Sequence, residues 1–197
     1  MAAYRVRVAL ALKQISVREV EVDLSTGQQF DPVFVEQNPE GVVPALAADG
    51  RLHTQSMALL EYMEERFPEP PLLPKDLIGR TRVRSLSELI TADTHPLITP
   101  RVRTRYVDQT GADQQSWGDW TRFWLDRGLA AFEGRLQNDP STGRFCHGDA
   151  VTFADICLAS LVLVAESYGY SAVRYASVTR VLEACRSMPE FAFPSKD

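Results

Sequence analysis

The stretch 67–75, which holds Pro68, Pro70, Pro71 and Pro74, divides this chain into two kinds of sequence. Proline fixes φ and removes a backbone donor, so such a cluster ends whatever element precedes it and favours an extended connection. Before it, short runs alternating apolar and polar residues are separated by turn signals. After it, apolar residues recur at helical spacing over long segments. The division predicts a small α/β part over residues 1–70, a linker over 71–75 and a larger all-helical part over 76–197.

In the first part, residues 16–24 alternate Val17, Glu19, Val20, Glu21, Val22 and Asp23 as a half-buried strand does. Segments 43–47 and 51–53 flank Asp49-Gly50, a dipeptide suited to a two-residue hairpin because both positions tolerate positive φ. Ser56 is placed to cap a helix running to Arg66, with Met57, Leu60, Met63 and Phe67 turned inward. Glu64 and Glu65 then read as a solvated face. Residues 4–13 fit two periods: Val6, Val8 and Leu10 alternate like a strand, while Val6, Ala9, Leu10 and Lys13 make a helical stripe. Pattern alone favours the strand.

In the second part, 76–93 and 100–107 read as helices interrupted by His95-Pro96 and Pro100. Segment 114–138 carries Trp117, Trp120, Trp124, Ala131, Phe132 and Leu136 on one stripe, a packing surface rather than a ligand box. Thr152-Phe153-Ala154-Asp155 has the form of a capping box ahead of 156–165, which is apolar all round and so belongs at the centre. A last helix over 175–188 turns Val178, Val181, Leu182 and Cys185 inward.

Charge and motifs exclude several functions. A net charge of -5 gives no electrostatic reason to bind nucleic acid or anionic lipid. The longest nearly unbroken apolar run, 156–165, falls short of the ~20 residues of a membrane helix. Cys146, Cys157 and Cys185 cannot all pair, and a reducing cytoplasm is expected. His53, His95 and His147 lack any zinc spacing, so no metal is expected. No GxSxG, Walker loop or GxGxxG occurs. Cys157 and Cys185 lie on inward stripes, which leaves Cys146, beside His147, as the remaining candidate thiol nucleophile.

Two local features point to a small ligand. A Val43-Pro44 bond at the start of a strand is a place where either isomer occurs; if cis, it turns the backbone of Val43 outward, where an extended peptide could dock. Gln55-Ser56 opens a helix whose first N–H groups and positive dipole end favour a carboxylate. A plain trans turn and a simple cap explain the same residues.

Read in order, YRVRVALALK (4–13), NPEGVVPAL (38–46), DGRLHTQSMALLEYMEERFP (49–68), HPLITPRV (95–102) and GRFCHGDAVTFADICLA (143–159) resemble the glutathione transferase superfamily, most closely its zeta class, the maleylacetoacetate isomerases. The resemblance spans nearly the whole chain. It implies an α+β protein: a thioredoxin-like domain lacking its first strand, followed by an all-α glutathione transferase C-terminal domain. It also makes 4–13 the first helix, and it implies a homodimer. Val43 is implied to pair its backbone with the cysteinyl part of glutathione, or of another low-molecular-weight thiol, with Pro44 cis. Gln55 and Ser56 are implied to hold the γ-glutamyl end. Arg101, with Thr99 beside it, is implied to meet the carboxylate of a small unsaturated acid. The implied chemistry is glutathione-dependent cis–trans isomerisation.

Against the family pattern, Met1-Ala2-Ala3 stands where a strand and a Ser-Ser-Cys type motif are expected. The thiolate-activating serine is therefore expected to be lacking, and 17–22 to have no neighbouring strand. Ile98 and Thr99 replace paired asparagines, and Ser167 replaces a second substrate arginine. These departures keep open a diverged, glutathione-independent isomerase or cyclase, and a non-catalytic binding protein.

Overall fold

The computed structural model describes residues 1–192. They form two compact units that meet between Pro70 and Pro71. The first unit contains α1 (Ala2–Leu12), a short 3-10 turn (Gln28–Phe30), α2 (Pro32–Gln37), β1 (Ala45–Ala48), β2 (Arg51–Thr54) and α3 (Ser56–Arg66).

The hairpin follows from its turn. Asp49 and Gly50 have φ of 50° and 74°, and Ala48 pairs with Arg51 and Ala45 with Thr54 across an antiparallel ladder. Positive φ at both central residues matches the right-handed strand twist. β1 starts two residues later than the pattern suggested, after the cis Val43-Pro44 bond.

Residues 4–12 are helical, with Lys13 as the C-cap, against the alternation and in line with the resemblance. Tyr4, Val6, Val8, Ala9 and Leu10 are all buried, which fits a helix enclosed on most sides better than a strand with one wet face. α1 packs on α3, whose buried stripe is Leu59, Leu60 and Met63. Two expected members of that stripe lie elsewhere: Met57 is half-buried, and Phe67, 39% exposed, follows the helix as its C-cap. Glu64 also departs from expectation. It sits on the buried stripe and pairs with Lys13, whereas Glu65 is exposed.

The expected strand at 16–24 does not form. Val17 and Val20 are 43% and 72% exposed, and the one ladder among the described residues joins β1 to β2. Alternation selects which side chains share a face; a strand also needs a neighbour to take its backbone groups, and none of the described residues does so here.

The second unit contains α4 (Leu77–Thr91), a 3-10 turn (His95–Ile98), α5 (Pro100–Thr110), α6 (Gln114–Gln137), α7 (Phe153–Ser167), α8 (Ala176–Arg186) and a further 3-10 turn (Pro189–Phe191). α7 is the central helix: every residue from Phe153 to Val162 is buried. Its capping box forms, and the fully buried Asp155 carboxylate accepts from Thr152 N (2.8 Å), Thr152 Oγ1 (2.7 Å) and Cys146 N (2.7 Å). Leu72, within the expected linker, is buried, and its carbonyl accepts from Phe153 N at 3.1 Å.

On α6 the buried stripe is Trp117, Thr121, Leu125, Gly128, Leu129, Phe132 and Leu136. Trp120 and Trp124 flank it half-buried, and Ala131 is exposed, so the expected stripe is displaced to one side. The helix also buries Glu133, whose carboxylate accepts from Ser177 N (3.0 Å) and Val178 N (2.9 Å) at the start of α8.

Candidate functional site

In the first unit the loop before β1 is fixed from within. Asn38 is 1% exposed; its Nδ2 donates to Val42 O at 2.7 Å and its carbonyl accepts from Gly41 N at 2.9 Å. Gly41 has φ 58°, and an added Cβ would lie 3.1 Å from Gln29 O and the Phe30 ring, so glycine is required twice over. This anchoring presents half-buried Val43 and its cis bond to Pro44.

Gln55, not Ser56, is the N-cap of α3. It holds φ 68°, a left-handed conformation that is costly for a residue with a side chain and that neighbours must impose. Its side chain makes no capping bond; instead Nε2 donates to Glu40 Oε2 at 3.0 Å, joining the loop of Val43 to the start of α3. Ser56 is the first helical residue, and its Oγ accepts from Arg5 Nη1 at 3.2 Å. Arg5 comes from α1 and is 1% exposed. A guanidinium beside a helix N-terminus adds its charge to the positive end of the helix dipole, and the two together favour an anion.

Sequence reasoning missed Arg5 and Glu40. Arg5 lies in the stretch 4–13, where the alternation that favoured a strand put it on the face opposite Val6, Val8 and Leu10; in the helix it is buried. Glu40 carries no signal beyond its place next to Gly41.

In the second unit, Thr99 is the N-cap of α5, and its Oγ1 donates to Pro96 O at 3.2 Å. Arg101 lies exposed in the first turn of α5, with no ion pair among the described residues. Ile98, beside Thr99, is 4% exposed and belongs to the core. Ser167 closes α7 and returns its hydroxyl to Val164 O at 2.8 Å. Thus Val43, Pro44, Gln55 and Ser56 lie in the first unit and Thr99 and Arg101 in the second.

Cys146 does not behave as a nucleophile. It is fully buried, and burial followed by the nearby Asp155 carboxylate pushes its thiol well above the ordinary range, whereas a nucleophilic cysteine needs the opposite shift. Among the described residues no three or more His, Cys, Asp or Glu side chains are grouped to hold a metal ion.

Comparison with known proteins gives this geometry a context. Residues 2–71 match the glutathione S-transferase N-terminal domain and residues 124–189 the C-terminal domain. The maleylacetoacetate isomerase of Rhizobium meliloti is 42% identical over 82% of this chain and 75% of its own length. The maleylpyruvate isomerase of a Ralstonia species is 34% identical over 96% of this chain and 89% of its own. Among solved structures, a maleylacetoacetate isomerase from Methylobacterium extorquens, with bound malonate and glutathione, superposes with a TM-score of 0.94 at 43% identity, covering 96% of this chain and 89% of that one. A maleylpyruvate isomerase described as a bacterial zeta-class glutathione S-transferase also superposes with a TM-score of 0.94, at 33% identity over 96% of this chain and 90% of that one. On these likenesses and on its fold, the chain belongs to the glutathione S-transferase family, in its zeta class.

Proposed function

We propose that the protein is a glutathione-dependent isomerase that converts a cis double bond conjugated to a carbonyl, in a small unsaturated carboxylic acid, into the trans form. The observation that carries this reading is the start of α3, where Ser56 Oγ and the buried Arg5 guanidinium stand together beside a helix end left uncapped by its own N-cap side chain. That arrangement suits the carboxylate of a γ-glutamyl group. Val43, next to the cis bond, supplies a backbone amide and carbonyl for the cysteinyl part, with Pro44 shaping the turn and Gln55 bordering the γ-glutamyl end. Residues 1–70 are thus assigned to glutathione and 76–197 to the substrate, where Arg101 and Thr99 at the start of α5 receive the acid's carboxylate.

The chemistry conserves the thiol. The glutathione thiolate adds to the β-carbon of the unsaturated carbonyl, the double bond becomes a single bond and the negative charge moves to the enolate oxygen. Rotation follows, and the enolate expels the thiolate to leave the trans alkene. Binding supplies proximity, and donors near the enolate oxygen lower the barrier. Three buried cysteines with no disulfide suit a cytoplasmic enzyme, and the family resemblance supports a homodimer.

A second reading, an isomerase or cyclase acting without glutathione, draws on Ile98 being packed in the core and Ser167 bonded to its own helix, where the family pattern has polar substrate contacts. One assay separates the two. With maleylacetoacetate as substrate, loss of the cis-diene absorbance is followed with protein plus glutathione, protein alone and glutathione alone. Turnover that needs both components supports the proposal. A rate no faster than glutathione alone overturns it, and full turnover without thiol establishes the second reading.

A further inference from the structure

The turn that leads into α5 is short of backbone donors. Pro100 has no N–H to return to the carbonyls of Pro96 and Leu97, four and three residues back. Side chains take those carbonyls instead. Thr99 Oγ1 donates to Pro96 O at 3.2 Å, and the indole Nε1 of Trp120, from α6, donates to Leu97 O at 2.8 Å. The same indole lies 5.2 Å from the Tyr106 ring of α5 and 5.9 Å from the Trp124 ring. One side chain of α6 therefore holds both the turn before α5 and a face of α5 itself.

The rest of the turn is seated just as closely. Thr94 Oγ1 donates to Leu89 O at 2.9 Å, and Thr94 packs against Gly128 of α6, where a methyl group would come within 2.9 Å of its Cγ2. Arg101, by contrast, carries its charge on an exposed side chain with no ion pair among the described residues. Its placement depends on the backbone of the first turn of α5, and so on what fixes that turn to α6.

We infer that Trp120 is a positioning residue for the acid substrate: its indole N–H fixes the turn at Leu97 and thereby the point from which Arg101 reaches the carboxylate. The inference rests on the reading of Arg101 given above. A hydrogen bond of this kind carries specificity because the half-buried Leu97 carbonyl lacks the backbone donor that Pro100 cannot supply.

A double-mutant cycle tests it, with initial rates measured for Trp120→Phe, Arg101→Ala and the pair, varying acid and glutathione separately. Trp120→Phe keeps an aromatic ring against Tyr106 and loses the donor. It is expected to raise KM for the acid about three- to tenfold while kcat stays within about twofold and KM for glutathione is unchanged. In the Arg101→Ala background the same change is expected to add nothing, because Trp120 acts through Arg101. Additive effects, an unchanged KM for the acid, or an equal rise in KM for glutathione would each overturn the inference and leave Trp120 a packing residue. An Arg101→Ala enzyme with normal KM for the acid overturns the Arg101 reading first, and the inference with it. If Trp120→Phe does not fold, as judged by its thermal transition, the cycle is run with Trp120→Leu under the same criteria. Trp120→Tyr, which carries a donor on its ring edge, is expected to recover part of the affinity.

Discussion

The Lys13 ammonium lies 2.8 Å from Glu64 Oε2 with none of its side chain exposed, and it donates as well to Phe67 O at 2.6 Å and Pro70 O at 2.9 Å. Its three donors have three acceptors. The C-cap residue of α1 thus ties a carboxylate on α3 to the last carbonyls of the first unit. Removing one partner of a buried pair strands the other charge, so Lys13→Met is expected to lower stability by about 3–5 kcal/mol. Adding Glu64→Leu is expected to recover part of that loss, though not the part owed to Phe67 and Pro70. Urea unfolding of the three proteins measures this; a loss below about 1 kcal/mol in Lys13→Met contradicts it.

Ser56 accepts from Arg5 and stands at the first position of α3. If a γ-glutamyl carboxylate binds there, Ser56→Ala removes a charge-assisted bond of about 1.5–3 kcal/mol, a weakening of roughly 10- to 150-fold. Titration calorimetry with glutathione reads it directly. Unchanged affinity would leave Ser56 as a partner of Arg5 alone.

Two glycines of α6 should answer alanine in opposite directions. At Gly128 the new methyl meets Thr94 Oγ1 and comes within 2.9 Å of Thr94 Cγ2, so Gly128→Ala is expected to cost about 1–3 kcal/mol by overpacking. At Gly134 nothing lies within 4 Å, and Gly134→Ala is expected to stabilise by about 0.5–1 kcal/mol through helix propensity. Opposite shifts in melting temperature support the packing described; shifts of the same sign refute it.

All three cysteines are buried, and none forms a disulfide. Burial, with Asp155 nearby, pushes the thiols of Cys146 and Cys185 up from their ordinary value. Thiolate is the reactive form, so alkylation of the native protein between about pH 7 and 9 is expected to be slow and to follow unfolding rather than thiol ionisation. Iodoacetamide labelling with and without denaturant, read by mass, checks this. Rapid native labelling at Cys146 would reopen its candidacy as a nucleophile.

The Asp139 carboxyl is held below its usual value, first by the Ser141 N–H and then by the Arg82 guanidinium, which lies 2.6 Å away. A depressed folded-state pKa contributes stability that is present above the unfolded value, about 3.9, and is lost as pH falls through the folded value. Asp139→Asn is therefore expected to be less stable than the parent at pH 6, with the gap narrowing as pH falls below the unfolded value. A gap that does not narrow once pH has passed below that value rules out the linkage.

Where one local rule decided the outcome, the structure could be read from the residues. Asp49-Gly50 gave the hairpin, and Thr152 to Asp155 gave the capped start of the central helix. Rules that need a partner were less informative. The alternation at 17–22 fixed a face and could not supply the neighbouring strand, and the period at 4–13 was ambiguous until α3 was there to pack against. The same holds at the site. Ser56 was visible as the start of a helix, but Arg5 reaches it from 51 residues away and Glu40 reaches Gln55 from 15 residues away, distances no local pattern spans. Glu64 looked solvated for the same reason, its partner Lys13 being 51 residues away along the chain.

With a sheet of only two four-residue strands, the first unit has little ladder to melt. Its cohesion lies in the α1–α3 pair, joined by apolar contact and by the Lys13 anchor. Slow amide exchange in this half of the molecule should accordingly map to helical positions such as Ala9 and Leu60, with the hairpin trading its protons early. In a fold usually pictured around its sheet, the last structure to let go would then be a pair of helices pinned by one ammonium group.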